Sequence, residues 1–461
     1  MAAALAGLSA ASPAADWPQF RGPNGSGVAE TTGLPVEFGL GKNVEWRTEA
    51  PFSRSSPIVA GGRVYLTAYE GEKLLTFCLD RRTGRIEWRR EILRARPARI
   101  YKANDPASPS PASDGTNVYA FFGDFGLVSY GPDGNERWRL PLGPFHNFYG
   151  MAASPIVAGD TVALVCDQEK NSFLTAVGKD TGKVRWRVER PETRFSWTTP
   201  AVVTPDRGGP QLIVPGSNRV DAHSLSTGDR QWWMGGLGWQ PVAVPVIGDG
   251  AAYLVQTSGG EPLPTFATLL QQRDTDRDGR LIREEFRGHD LLWEHFEGVD
   301  TDRNGYLDEN EHNALRAGFA DEAGVVAVRL GGRGRLPSQD LLWRQKKNTP
   351  TVPSPLLYKG VLYMVKGGGI VTTLDPATGR ILKEGRVPEA ISPYYSSPVA
   401  GDDKVFLAGE AGKVTVLKAG REWEILAVND LGEECYATPA IADGRIYIRT
   451  RSALYCFRKR E

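Results

Sequence analysis

The chain has 461 residues, 41% of them hydrophobic and 24% charged, with Lys plus Arg and Asp plus Glu both totalling 55. A net charge of zero provides no long-range field for nucleic acid or an anionic membrane surface, so those partners are set aside. Fifty-three glycines and 32 prolines describe a turn-rich globular chain, and the length suits one closed all-β unit as well as two or three domains.

Residues 1–15 are Ala-rich and end in small residues ahead of Asp16, as an export signal does, although the basic start is missing. An export signal places the protein in the periplasm or outside the cell; the other reading is a simple tail. No cysteine lies near this end to carry a lipid, and no later run of 18 apolar residues predicts a membrane span. Residues 16–39 read as a lead-in segment. "NVEWRTEA", around Trp46, then reads as a lone strand with no partner nearby.

From there a pattern recurs: a Ser/Thr-Pro or Val-Pro step, an apolar stretch, a Gly or Asp turn and an alternating strand. It runs from "SSPIVAGGRVYLTAY" at Pro57 through Pro111, Pro155, Pro200, Pro245, Pro355 and Pro398 to "ATPAIADGRIYIR" at Pro439. The gaps are 54, 44, 45, 45, 110, 43 and 41 residues, so one interval carries an insertion, assigned to 258–323. Most repeats continue with a third strand and a tight turn into a Trp-bearing fourth strand, as in "LTFCLDRRTGRIEW" (Trp88), "LVSYGPDGNERW" (Trp138), "LTAVGKDTGKVRW" (Trp186) and "AHSLSTGDRQW" (Trp232). Units of four strands with period-two alternation predict an all-β, eight-bladed β-propeller over 40–257 and 324–461, rather than two β-sandwiches. The last repeat, ending "ALYCFRKRE", stops after its third strand, so the strand around Trp46 is expected to complete it and close the ring.

The insertion holds "DTDRDGRLIREEF" and "DTDRNGYLDENEH". An EF-hand calcium loop requires oxygen ligands at positions 1, 3, 5, 7 and 12 and Gly at 6. The first stretch supplies Asp274, Asp276, Asp278, the carbonyl of Arg280, and Glu285, with Gly279 at the turn. The second supplies Asp300, Asp302, Asn304, the carbonyl of Tyr306, Asp308 and Glu311, with Gly305 at the turn. Leu281 and Leu307 occupy position 8, where paired loops form a short β-bridge, and apolar residues at helical spacing flank both loops. Two calcium ions in a structural role are expected; magnesium, or acidic turns without metal, are the other readings. Only residues 286–299 separate the loops, which is short for two full helices.

The Thr-Gly turns at Thr83, Thr181, Thr227 and Thr378, set in an A/L-x-x-D-x-x-T-G-x-x-x-W core, resemble those of the pyrroloquinoline-quinone (PQQ)-like propeller family. The opening "DWPQFRGPNGSGVAETTGLP" is similar to the lead-in of exported bacterial members. The resemblance implies an eight-bladed ring whose Gly and Trp positions lock blade to blade. It also implies one of two functions: a PQQ-dependent alcohol or sugar dehydrogenase, or a scaffold such as the related member that serves outer-membrane protein assembly.

The alcohol-oxidising members place a disulfide between adjacent cysteines against the quinone. Cys78, Cys166, Cys435 and Cys456 are scattered here and read as buried free thiols. The family's carboxylate and Asn set that clamps the cofactor is not found either. His146 and His223, alone on the propeller, make neither a metal cluster nor a general base, and His289, His295 and His312 lie in the insertion. A non-catalytic, monomeric binding or scaffold protein is therefore preferred over the dehydrogenase. The loops joining each outer strand to the next inner strand gather at one mouth of the channel. They carry Arg99, Tyr101, Phe148, Tyr149, Arg194, Trp197, Trp239, Lys347, Tyr394, Tyr395 and Tyr436. Such residues suit a protein, peptide or glycan ligand, or else simply pack the rim. The insertion leaves a hairpin on that same face and is expected to stand beside the mouth.

Overall fold

The computed structural model describes residues 16–460 apart from 95, 99, 101–103, 258–262, 289–291, 294–295, 297–298, 301–303 and 319–322. The expected export segment and, among the candidate site residues, Arg99, Tyr101 and Asp302 lie outside the described residues. The described strands form an eight-bladed β-propeller of antiparallel sheets, with one further two-stranded ribbon in the insertion. The first blade runs Ile58–Ala60, Arg63–Glu70, Lys73–Asp80, Ile86–Leu93, from the channel outward.

Burial explains the sequence pattern. The inner three strands of a blade face neighbours on both sides, so Val118–Phe122 and Gly126–Tyr130 are buried throughout and read as continuous apolar runs. The outer strand Glu136–Pro141 meets solvent and keeps Trp138 as its one buried residue. That tryptophan reaches into the next blade, where its indole N–H donates to the carbonyl of Lys179 at 2.8 Å. The same link joins Trp46 to Arg81, Trp88 to Pro132, Trp186 to Leu225 and Trp343 to Pro376, at 2.8–3.0 Å.

The eighth blade is Ala440–Ala442, Arg445–Arg449 and Ala453–Arg458, completed by Val44–Glu49 pairing antiparallel to the last of these. Arg445 grips Glu45 across this seam with Nε and Nη2, at 2.5 and 3.0 Å. In blade five, Ala251–Gln256 pairs directly with Gly324–Arg329, and Gln256 lies opposite Gly324, so the insertion leaves from a hairpin without breaking the ladder. One element has no precedent in the repeat pattern. Gly334–Arg335, from the connection that follows, lies parallel to Arg230–Gly235 of blade four and covers Trp232, whose indole then donates within its own blade to Gln211.

The lead-in closes the channel at the end away from the mouth. Trp17 bridges to Val59, Pro18 accepts from Ser113 N–H, the Asn24 amide holds Val202, and Val28 bridges to Ala400. Among the described residues no helix is long and apolar enough to cross a membrane.

Candidate functional site at the propeller mouth

The repeated Ser/Thr-Pro step builds the channel wall. The residue before each proline donates its backbone N–H to the hydroxyl of the equivalent residue one blade on. Ser56 donates to Ser110, Ser110 to Ser154 and Ser154 to Thr199, each at 2.9 Å. Val244 donates to Ser354, Ser354 to Ser397 and Ser397 to Thr438 at 3.0 Å, and Thr438 returns to Ser56 at 2.9 Å. The ring is open at one step, because the blade-five position is Val244. Each such bond stabilises the closed ring by about 1 kcal/mol.

These hydroxyls line a cavity of about 350 Å³, floored by Phe20 of the lead-in and walled higher up by Tyr149, Trp197, Tyr395 and Tyr436. Tyr149 meets Trp197 edge-on at 5.3 Å, and Phe148 meets Tyr149 at 5.1 Å. Across the mouth Tyr395 and Tyr436 lie 5.6 Å apart, and the Arg54 guanidinium covers Tyr436 at 4.8 Å. Arg54 also approaches Asp105 at 3.6 Å. The structure thus gathers Tyr149, Trp197, Tyr395 and Tyr436 around one space, with Phe148 behind them.

The other mouth residues go elsewhere. Tyr394 is buried in the core between blades six and seven and donates to the Ala390 carbonyl, because neighbouring residues on an extended chain point opposite ways. Lys347 pairs with Glu384 on the outer surface. Trp239 and Arg194 line a second cavity of about 150 Å³ between the propeller and the insertion. The loop bearing Arg194 is anchored by Arg190, whose Nε donates to Asp167 at 2.9 Å and whose Nη1 reaches Asp221 at 3.5 Å. Burial works against the Arg190 charge, but Asp167 and Asp221 outweigh it and hold the guanidinium above its ordinary value. Burial pulls Arg194 below its ordinary value, and the Glu311 carboxylate of the insertion pulls back.

The insertion packs on this side of the ring. Phe266, Leu269, Leu281, Phe286, Phe296, Leu307 and Leu315 share one apolar cluster with Phe195, Trp197 and Trp239 of the mouth loops. Helix Phe266–Arg273 starts at Thr265, whose hydroxyl accepts from Thr268 N–H. It leads into a loop where Asp274 accepts from Gly279 N–H at 2.9 Å, Asp276 from Asp278 and Asp278 from Arg280. Glu285 folds back to accept from Thr275 and Ile282. In the second loop Asp300 accepts from Asn304 and Gly305, Asn304 from Tyr306, and Glu311 from Asp308. Gly279 and Gly305 turn at φ +80° and +88°. Leu281–Ile282 and Tyr306–Leu307 pair as a two-stranded ribbon, Leu281 opposite Leu307. Oxygens of Asp274, Asp276 and Asp278 lie within 4.8 Å of one another, and Asp274 Oδ1 is buried without a hydrogen-bond partner among the described residues. A single 3₁₀ turn, Arg283–Phe286, follows the first loop, and helix Glu309–Gly318 follows the second.

Ring closure by an N-terminal strand, the indole links and the Ser/Thr-Pro channel wall define the class as a closed, quinoprotein-type eight-bladed propeller. Among solved structures, europium-containing methanol dehydrogenase is similar at a TM-score of 0.61 and 10% identity, over 96% of this chain and 98% of that one. BamB from Moraxella catarrhalis is similar at a TM-score of 0.56 and 11% identity, over 90% and 97%. At these identities the likeness is one of fold. The PQQ_2 family model, described as "Outer membrane protein assembly factor BamB", matches residues 40–147, 78–259 and 277–461, and the chain belongs to that family. Outer membrane protein assembly factor BamB of Yersinia pestis is 22% identical over 389 residues, 79% of this chain and 84% of that protein. Its counterpart in Shewanella oneidensis is 21% identical over 375 residues, 79% and 85%.

Proposed function

We propose that the chain is an exported, non-catalytic scaffold of the assembly-factor kind, in the periplasm or outside the cell, that meets a protein partner at the propeller mouth and holds two calcium ions in its inserted loops. The observation that carries this reading is the shared apolar cluster of the insertion with Phe195, Trp197 and Trp239, which makes the insertion part of the mouth rather than an appendage. Family membership and the two BamB relatives support the scaffold role.

The donor set fits calcium. It is all oxygen, it turns on glycine at position 6 in both loops, and the buried Asp274 Oδ1 has a lone pair that no donor among the described residues satisfies. Asp274, Asp276, Asp278, the Arg280 carbonyl and Glu285 would hold one ion. Asp300, Asp302, Asn304, the Tyr306 carbonyl, Asp308 and Glu311 would hold the other. A bound ion neutralises carboxylates that otherwise repel. The backbone N–H bonds already made to these carboxylates keep both loops close to the turn such an ion needs.

Calcium titration by calorimetry on the full chain tests this: binding near 10⁻⁴ to 10⁻³ M is expected, as for extracellular modules of this kind. Glu285→Gln with Glu311→Gln is expected to abolish it, and unaltered binding in the double variant would refute the assignment. The quinone reading has the fold in its favour. With calcium and PQQ added, dye reduction by alcohols or sugars would replace the scaffold with a dehydrogenase.

A further inference from the structure

The channel cavity carries a donor pattern that ring closure does not require. Each of the seven ring hydroxyls spends a lone pair on the backbone N–H of the preceding blade, and none of their own O–H groups has an acceptor among the described residues. These side chains are 2–3% exposed and line the cavity, so seven O–H donors converge on one small space.

Charge behind the wall has the matching sign. Arg21, fully buried, sends its guanidinium to the carbonyls of Gly25, Ser26, Ser354, Pro355 and Pro398, and among the described residues no carboxylate pairs with it. Arg449 lies behind blades eight and one, on the carbonyls of Pro51, Ser55 and Thr67, with the Asp105 carboxylate acting on its charge. Arg54 stands at the rim, where Asp105 lies against it. Arg21, compensated among the described residues only by carbonyl dipoles, leaves a positive potential beside the cavity.

The third observation is the layering of the wall. Toward the mouth from the hydroxyls, the wall becomes Tyr149, Ala152, Trp197 and Val242, with Tyr395 and Tyr436 across from them. One level of the cavity is therefore oxygen-seeking and the level above it flat and apolar.

We propose that this cavity is a binding site for a small organic acid, with its carboxylate oxygens accepting from the hydroxyl ring and its flat face against Tyr149, Trp197 and Val242. A volume of about 350 Å³ suits a compound of one or two rings. An aromatic acid and a sugar acid share the needed chemistry, a carboxylate beside a flat apolar face.

Calorimetric titration of the full, calcium-supplied chain with 4-hydroxybenzoate and with D-glucuronate separates these sources. Their neutral analogues, 4-hydroxybenzyl alcohol and D-glucose, are the controls. At least one acid is expected to saturate the site about tenfold more tightly than its analogue. Thr199→Val, which removes one ring hydroxyl, and Tyr395→Ala, at the exposed rim, are each expected to weaken that acid several-fold. Should Thr199→Val fail to fold, Tyr395→Ala decides. Absence of saturation by either acid up to about 10 mM would overturn the proposal. So would equal binding of the neutral analogues, or variants that bind as the parent chain does.

Discussion

Gly84, Gly182, Gly228 and Gly379 turn at φ between +65° and +79°, and a Cβ on any of them would sit 2.5–2.6 Å from the indole of Trp46, Trp138, Trp186 or Trp343 respectively. Backbone strain and ring overlap therefore act at the same atom. Gly182→Ala is expected to cost roughly 2–4 kcal/mol, read as a lower urea midpoint, whereas Gly62→Ala, which meets nothing, bears the backbone strain alone. Asp114 gives a pH signature at the same scale. Burial works to raise its carboxyl, but donors from Thr116, Asn117 and Tyr119 prevail and bring it down to about 2. A folded pKa below the unfolded value of about 3.9 means the contribution is full above that pH and is lost as pH falls toward 2. Asp114→Asn is expected to flatten the fall in urea midpoint across that acid window; an unchanged slope would remove Asp114 from the account. Single residues were also where the sequence was least informative. Neither Arg21 nor Arg54 stood out in the sequence, because nothing local shows that Arg21 meets Ser354, Pro355 and Pro398 or that Arg54 covers Tyr436.

Strands and their order were legible, since burial on both faces produces apolar runs and burial on one face produces alternation, each at a fixed repeat. The Ser/Thr-Pro step was visible as a marker of the repeat but not as a hydrogen-bonded ring, because each hydroxyl serves a residue one blade away. The parallel strand Gly334–Arg335 escaped notice as well, its partner belonging to the preceding blade. In the insertion the turns at Gly279 and Gly305 and the pairing of Leu281 with Leu307 were legible through their spacing, whereas its packing on Trp197 and Trp239 has no sequence period to reveal it. Because Gln256 already faces Gly324, replacing 258–323 with a short turn is expected to leave a folded propeller with its strand signature intact by circular dichroism. It would bare Phe195, Trp197 and Trp239, so size-exclusion chromatography should show self-association that the full chain does not. Loss of the β-sheet signal would instead mean that the insertion is needed to build blade five.

At the scale of the molecule, the ring is held by two kinds of closure. The lead-in crosses the end of the channel away from the mouth and touches blades one, two, four, six, seven and eight through Val59, Ser113, Val202, Ser354, Ala400 and Gly444. The seam joins Val44–Glu49 to Ala453–Arg458. That seam sets a timetable for synthesis. A ribosome delivers Trp46 early and Tyr455 more than four hundred residues later, so the eighth blade stays a three-strand vacancy, and its future outer strand an unpaired edge, until nearly the whole chain has emerged. For most of its assembly the protein is an open arc, and whatever guards that edge in the interval determines how much of it becomes a ring.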